Sequence, residues 1–221
     1  LAERAMERGV VLCEQAIRGS LGPAWRTYDR LVREGVSGHP WHQLMRTLLA
    51  EAGLADDAVA RELTEVLWEQ QPKKNLWREP IEGMIELCER ASAEGVPLVV
   101  ISNSEGKLRD LIAEMGLSEL LPLVIDSGVV GITKPSPAIF ALGAELVGVP
   151  CAEVLHVGDS LAADVRGALD AGMGAVWFGQ PRLPDDLRDL GARGRAFAAE
   201  DAGALAAVLD VALDPSRRAR A

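Results

Sequence analysis

The chain has 221 residues, 48% hydrophobic and 25% charged, the profile of an ordinary globular protein with room for one large domain or for a core and a smaller partner domain. No apolar run approaches the roughly 18 residues needed to span a bilayer, which argues against a membrane partner, and the opening LAERAMERGV is too charged for a secretory signal. The net charge of −10 argues against nucleic acid as a partner, and because it repels anions, any phosphate site here requires local positive charge from a metal or a lysine.

Residues 1–80 carry no strand pattern. Helices are expected over 1–8, 25–34, 41–52 and 56–71, with breaks at 19–23, 35–40 and 53–56 where Gly and Pro collect. Val59, Leu63, Val66 and Leu67 fall at helical spacing. Trp25, Trp41, Trp68 and Trp77, four of the five tryptophans, lie in this region and give it an apolar payload of its own. From residue 81 the texture alternates. A helix is expected over 81–94, ending at Gly95, and then a strand over 97–102, PLVVIS, a short apolar run suited to burial on both faces. A helix over 107–115, a strand over 123–125 and a helix over 137–147 follow. Next come a strand over 153–157 (EVLHV), a helix over 161–171 stopped by Gly172, a strand over 175–178 (AVWF) and a closing helix over 204–213. Residues 215–221 read as a flexible basic tail. The expected division is therefore a helical domain over 1–80, an α/β core over 81–214 and the tail. Cys13, Cys88 and Cys151 are far apart and odd in number, which argues against a disulfide framework or a zinc site and makes a reducing cytoplasm the expected location.

Strand–helix alternation at this spacing predicts an α/β fold, a three-layer arrangement with a parallel sheet between helices. Ligands in such sheets bind beyond the carboxyl ends of the strands, and three polar clusters stand at strand ends. Ser102-Asn103-Ser104 ends PLVVIS; a hydroxyl followed by backbone N–H groups can donate to phosphate oxygens, while the plain alternative is a turn with a helix cap. Lys134 lies in GITKP, where Pro135 biases it toward an extended backbone and a defined direction for its ammonium; the alternative is a solvated lysine. Asp159 and Asp164 lie in GDSLAAD directly after EVLHV. Two converging carboxylates form a hard oxygen site suited to Mg²⁺; the alternative is one capping and one solvent-facing aspartate.

The order and placement of these clusters resemble the haloacid-dehalogenase-like (HAD) hydrolase superfamily, over about residues 80 to 180. The resemblance implies a Rossmann-like core in which Ser102 binds the transferring phosphoryl group with the Asn103 backbone. On the same resemblance Lys134 is expected to neutralise charge on nucleophile and phosphoryl, and Asp159 and Asp164 to hold Mg²⁺. It also implies that residues 1–80 are a helical cap that closes over the site and selects the leaving group. The implied activity is hydrolysis of a small phosphorylated metabolite through an aspartyl-phosphate. The Mg²⁺-free dehalogenase branch has no use for the acidic pair. Ser160 is expected as a helix cap, and His156 as a packed core histidine.

One motif of the superfamily is missing, the strand ending DxDGT whose first aspartate attacks phosphorus. Asp29 and Asp56-Asp57 have helical or loop surroundings, and Asp126 follows a strand in the wrong place in the order. In the superfamily that strand is central in the sheet. Its absence leaves two inner strands with unpaired edges, at about 1–3 kcal/mol for each buried unpaired group, against a typical total stability of about 5–15 kcal/mol. The expectation is that Leu1 lies downstream of that strand, with roughly 15–25 residues preceding it. The alternative is a catalytically incomplete fold that serves as a binding or interaction module. A nucleotide-binding reading has no GxGxxG or GxxxxGK[ST] to support it.

Overall fold

The computed structural model describes residues 2–7, 9–35, 40–71, 73 and 75–212. They fall in two units, Leu1–Leu76 and Trp77–Ala221. The expected basic tail at 215–221 lies outside the described residues.

The first unit is helical: α1 (Ala2–Met6), α2 (Glu14–Arg33), α3 (Trp41–Glu51) and α4 (Asp57–Gln70). The break expected at 19–23 does not occur, because α2 runs straight through Gly19, Gly22 and Pro23. An interior proline costs about 3 kcal/mol. Here Ser20, Ala24 and Tyr28 are buried at four-residue intervals around it, and that buried stripe offsets the penalty. Trp41, Met45 and Leu49 of α3 form a second stripe, which meets Ala60, Leu63 and Leu67 of α4 in one apolar cluster. Asp56 starts α4 by accepting from the N–H groups of Ala58 and Val59, at 2.9 and 3.1 Å.

The second unit alternates strand and helix. Its elements begin α5 (Met84–Ala93), β1 (Val99–Ser102), α6 (Leu108–Glu114), β2 (Leu123–Asp126), α7 (Ser127–Val130), α8 (Pro137–Val147) and β3 (Leu155–Gly158). A π-helical turn over Leu161–Arg166 continues into α9 (Gly167–Asp170). Then come β4 (Gly174–Phe178), α10 (Arg188–Ala192), β5 (Ala196–Ala199) and α11 (Ala202–Ala212). All strand pairings are parallel. The fifth strand, AFAA, is absent from the sequence expectations, because alanine has little strand propensity; its place beside β4 is set by the ladder from Ala175↔Ala196 to Phe178↔Ala199. The helix expected over 161–171 begins as a π turn, with the Val165 amide bonding the Ser160 carbonyl five residues back.

The strands form two sheets, β1-β2 and β3-β4-β5. Among the described residues no strand pairs with the remaining edge of β1 or of β3. Every residue of β3 is only half-buried, whereas β4 buries Ala175, Val176 and Phe178. A strand inside a parallel sheet is normally covered on both faces and both edges, so the exposure of β3 matches its open side. The two sheets share one core all the same. Ile139 and Phe140 of α8 are fully buried against Ile101, Ile125, Val165, Ala168 and Ala175, each such side chain contributing about 1.5–3 kcal/mol.

Candidate functional site

Of the polar residues singled out from the sequence, Ser102 ends β1 and Asp159 follows β3, whereas Lys134, expected at a strand end, lies in the loop between α7 and α8 and reaches the end of β1 through its side chain. Ser102 is the last residue of β1, in register with Asp126 at the end of β2. Asn103 follows, and its amide embraces the backbone of Lys134: Oδ1 accepts from the Lys134 N–H at 2.8 Å, and Nδ2 donates to the Lys134 carbonyl at 3.1 Å. That reciprocal pair joins two loops distant in sequence. It commits the Asn103 amide to holding the Lys134 backbone.

Lys134 turns its ammonium inward. Nζ donates to the Ile101 carbonyl at 3.0 Å and to Asp164 Oδ1 at 2.5 Å. The same Oδ1 lies 3.0 Å from His156 Nε2, and Oδ2 accepts from the Ser160 N–H at 3.1 Å. Side-chain exposure is 12% for Lys134, 11% for His156 and 4% for Asp164. At this depth an ion pair persists only if its remaining hydrogen-bonding positions are satisfied. Burial by itself would raise the Asp164 carboxyl; the Lys134 ammonium and the His156 ring outweigh it and hold the group well below the usual carboxylate range. His156 also meets Phe140 edge-on, with ring centroids 5.0 Å apart, so it is a packed histidine with a polar partner as well.

Local chemistry explains the turn at β3. A Cβ on Gly158 would collide with the Asp164 carboxylate, so only glycine lets the strand end approach that group. Ser160 caps the following turn, its Oγ accepting from the Ala163 N–H at 2.9 Å. Asp159 is exposed at the rim, and its carbonyl accepts from Trp177 Nε1 at 3.0 Å.

The donor set can be weighed against Mg²⁺. Hard carboxylate oxygens suit the ion, which commonly takes one or two carboxylates and fills its octahedron with water and phosphate. Asp159 meets that description. Asp164 stands behind it with both oxygens engaged by Lys134, His156 and Ser160, so it adds negative charge more readily than an open coordination position. Among the described residues no three His, Cys, Asp or Glu side chains gather to hold a metal ion. In donor chemistry the Asp159 carboxylate is of the kind Mg²⁺ accepts.

Sequence reasoning missed three contributors: the Asn103 amide as a clamp on Lys134, His156 as a partner of Asp164, and Asp126, a buried carboxylate accepting from the N–H groups of Gly106, Leu108 and Gly128 at 2.9–3.0 Å. A polar residue within an apolar strand, as in EVLHV, was the available signal for His156.

The strands and helices of the second unit alternate as in a parallel α/β core. The chain belongs to the haloacid dehalogenase-like hydrolases, whose family profile matches residues 13–172. It is 35% identical to the phosphoserine phosphatase of Thermus thermophilus over 145 residues, 65% of this chain and 56% of that protein, so it spans little more than half of that relative. Among solved structures it resembles a HAD family hydrolase from Deinococcus radiodurans with bound phosphate and sodium (TM-score 0.61, 22% identity, 96% of this chain and 86% of that one). It also resembles a magnesium-bound HAD-hydrolase, YfnB of Bacillus subtilis (TM-score 0.59, 17% identity, 94% and 88%). These two likenesses establish the fold. Among the described residues no helix is long and apolar enough to cross a membrane.

Proposed function

We propose that this chain is the phosphate-clamping and metal-binding part of a Mg²⁺-dependent phosphatase acting on a small phosphorylated metabolite. The observation that carries the reading is the Lys134 ammonium, held between the Ile101 carbonyl and the Asp164 carboxylate. In a chain of net charge −10 this is buried, oriented positive charge beside backbone donors, the combination a phosphoryl group requires.

In this reading the Ser102 hydroxyl and the Asn103 N–H donate to phosphoryl oxygens, and Lys134 neutralises charge that grows as the ester bond breaks. Asp164 and His156 fix the ammonium in place. Asp159, with Asp164 behind it, would hold Mg²⁺, which when bound neutralises phosphate charge and lets a carboxylate approach it. The nucleophile is an aspartate from outside the described residues. Its carboxylate forms an O–P bond as the ester P–O bond breaks and a general acid, also outside the described residues, gives the leaving alkoxide its proton; water then attacks phosphorus, returns a proton to that group, and releases orthophosphate with the carboxylate restored. The open edges of β1 and β3 support a strand between them as its carrier. The helical unit is the cap that selects the leaving group.

The test pairs calorimetry with turnover. The protein carrying this chain and the nucleophile strand is expected to hydrolyse p-nitrophenyl phosphate only with Mg²⁺, and Asp159→Ala to abolish that hydrolysis. Unchanged turnover in the variant removes Asp159 as a ligand. Binding of Mg²⁺ and phosphate analogues without turnover by the parent protein favours a binding module.

A further inference from the structure

The loop after β1 is held from outside itself, by two consecutive residues at the end of β2. The Ser127 hydroxyl accepts from the Ser104 N–H at 2.9 Å and donates to the Ser104 carbonyl at 3.1 Å, so one side chain grips both sides of a single residue's backbone. The Asp126 carboxylate takes the next stretch: Oδ1 accepts from the Gly106 N–H at 3.0 Å, and Oδ2 from the Leu108 N–H, the first residue of α6, at 2.9 Å. A third N–H, that of Gly128, anchors Oδ1 itself at 2.9 Å. Both side chains are about 95% buried. The Ser104 hydroxyl is buried and has no hydrogen-bond partner among the described residues, so it offers the loop no competing anchor.

Packing gives the same result independently of hydrogen bonding. A Cβ on Gly128 would stand 2.6 Å from the Gly106 nitrogen, 2.7 Å from the Glu105 carbonyl carbon and 2.8 Å from the Ser104 oxygen. The two loops are thus in contact backbone to backbone, an approach that only glycine permits. Four bonds and a glycine contact commit a buried carboxylate and a buried hydroxyl to one short loop, far more than a solvent-facing turn needs.

We propose that Asp126 and Ser127 are positioning residues for the anion-binding loop. They fix the 104–108 backbone from the neighbouring strand, so that Ser102 and the Asn103 N–H meet a phosphoryl group already oriented. This rests on the reading above that Ser102 and Asn103 bind phosphate. Preorganised donors bind an anion without the cost of ordering the loop first, so loosening the tether weakens binding while leaving the donors themselves in the chain.

The experiment uses the protein carrying this chain and the nucleophile strand, in the presence of Mg²⁺, with orthophosphate as the probe. Titration is followed by the amide shifts of residues 102–104, and hydrogen exchange is read over 103–108. Ser127→Ala removes both Ser104 bonds. It is expected to speed exchange in that loop and weaken orthophosphate binding, each by about tenfold, a factor that two modest hydrogen bonds supply. Exchange in β4 and α8 stays as in the parent, and Ser127→Thr, which keeps the hydroxyl, restores both. Asp126→Asn is the harsher variant, and where it does not fold the Ser127 pair decides. If Ser127→Ala binds orthophosphate as tightly as the parent, the positioning role falls and the phosphate reading stands. If the parent protein itself binds no orthophosphate with Mg²⁺ present, the phosphate reading falls and this inference with it.

Discussion

Replacing Asp164 with alanine tests the electrostatics on which the whole site depends. The substitution removes the acceptor of three donors at once: the Lys134 ammonium, the His156 ring and the Ser160 amide. Lys134 keeps one recorded partner, the Ile101 carbonyl, with its side chain 12% exposed. Removing one member of a buried ion pair costs about 3–5 kcal/mol, because the survivor remains desolvated and unpaired. That is a large share of a typical domain's roughly 5–15 kcal/mol. Lys134→Met combined with Asp164→Leu removes both charges and is expected to recover about half of the loss, since an apolar pair of similar volume is often neutral in such a place. The coupling between the two sites should exceed about 1 kcal/mol. The chain has two units, so a single unfolding curve would mix their transitions; peptide-resolved hydrogen exchange over β3 and β4 reports the unit concerned. A loss below about 1 kcal/mol for Asp164→Ala would refute the reasoning, showing that water or a rearranged Lys134 replaces the carboxylate at little cost.

Two further outcomes follow from the same group and its neighbour. Because Asp164 is held below its unfolded value of about 3.9, its contribution is complete above that value and is lost as pH falls toward the folded one. Stability of the Trp77–Ala221 unit should therefore drop more steeply below about pH 4 than in Asp164→Asn, and identical acid limbs would count against the pairing. Gly158→Ala drives a methyl group into the Asp164 carboxylate and is expected to cost about 1–3 kcal/mol; an unchanged midpoint in thermal unfolding would show that the strand end can give way.

Much of the second unit was legible in the chain. Short, mostly apolar runs marked β1, β3 and β4, because a strand packed between helices carries mainly apolar side chains. The polar residue at the point of emergence is Ser102 for β1 and Asp159 just after β3. Other elements were not legible. The break expected at 19–23 followed from Gly and Pro propensities, yet a buried stripe on either side of Pro23 overrode them. Strand β5 is almost all alanine and acquires its conformation from the β4 edge.

The sequence by itself determined which chemical groups exist and that Ser102 and Asp159 close the apolar runs of β1 and β3. Tertiary structure alone decided how those groups are shared. Lys134 and Asp164 are thirty residues apart, Asn103 clamps a loop thirty-one residues away, and Asp126 and Ser127 serve a loop about twenty residues upstream. Short polar side chains such as these satisfy a neighbouring turn or a distant backbone equally well. Which of the two they do depends on which strands lie side by side, and that is settled by burial of the apolar residues between them.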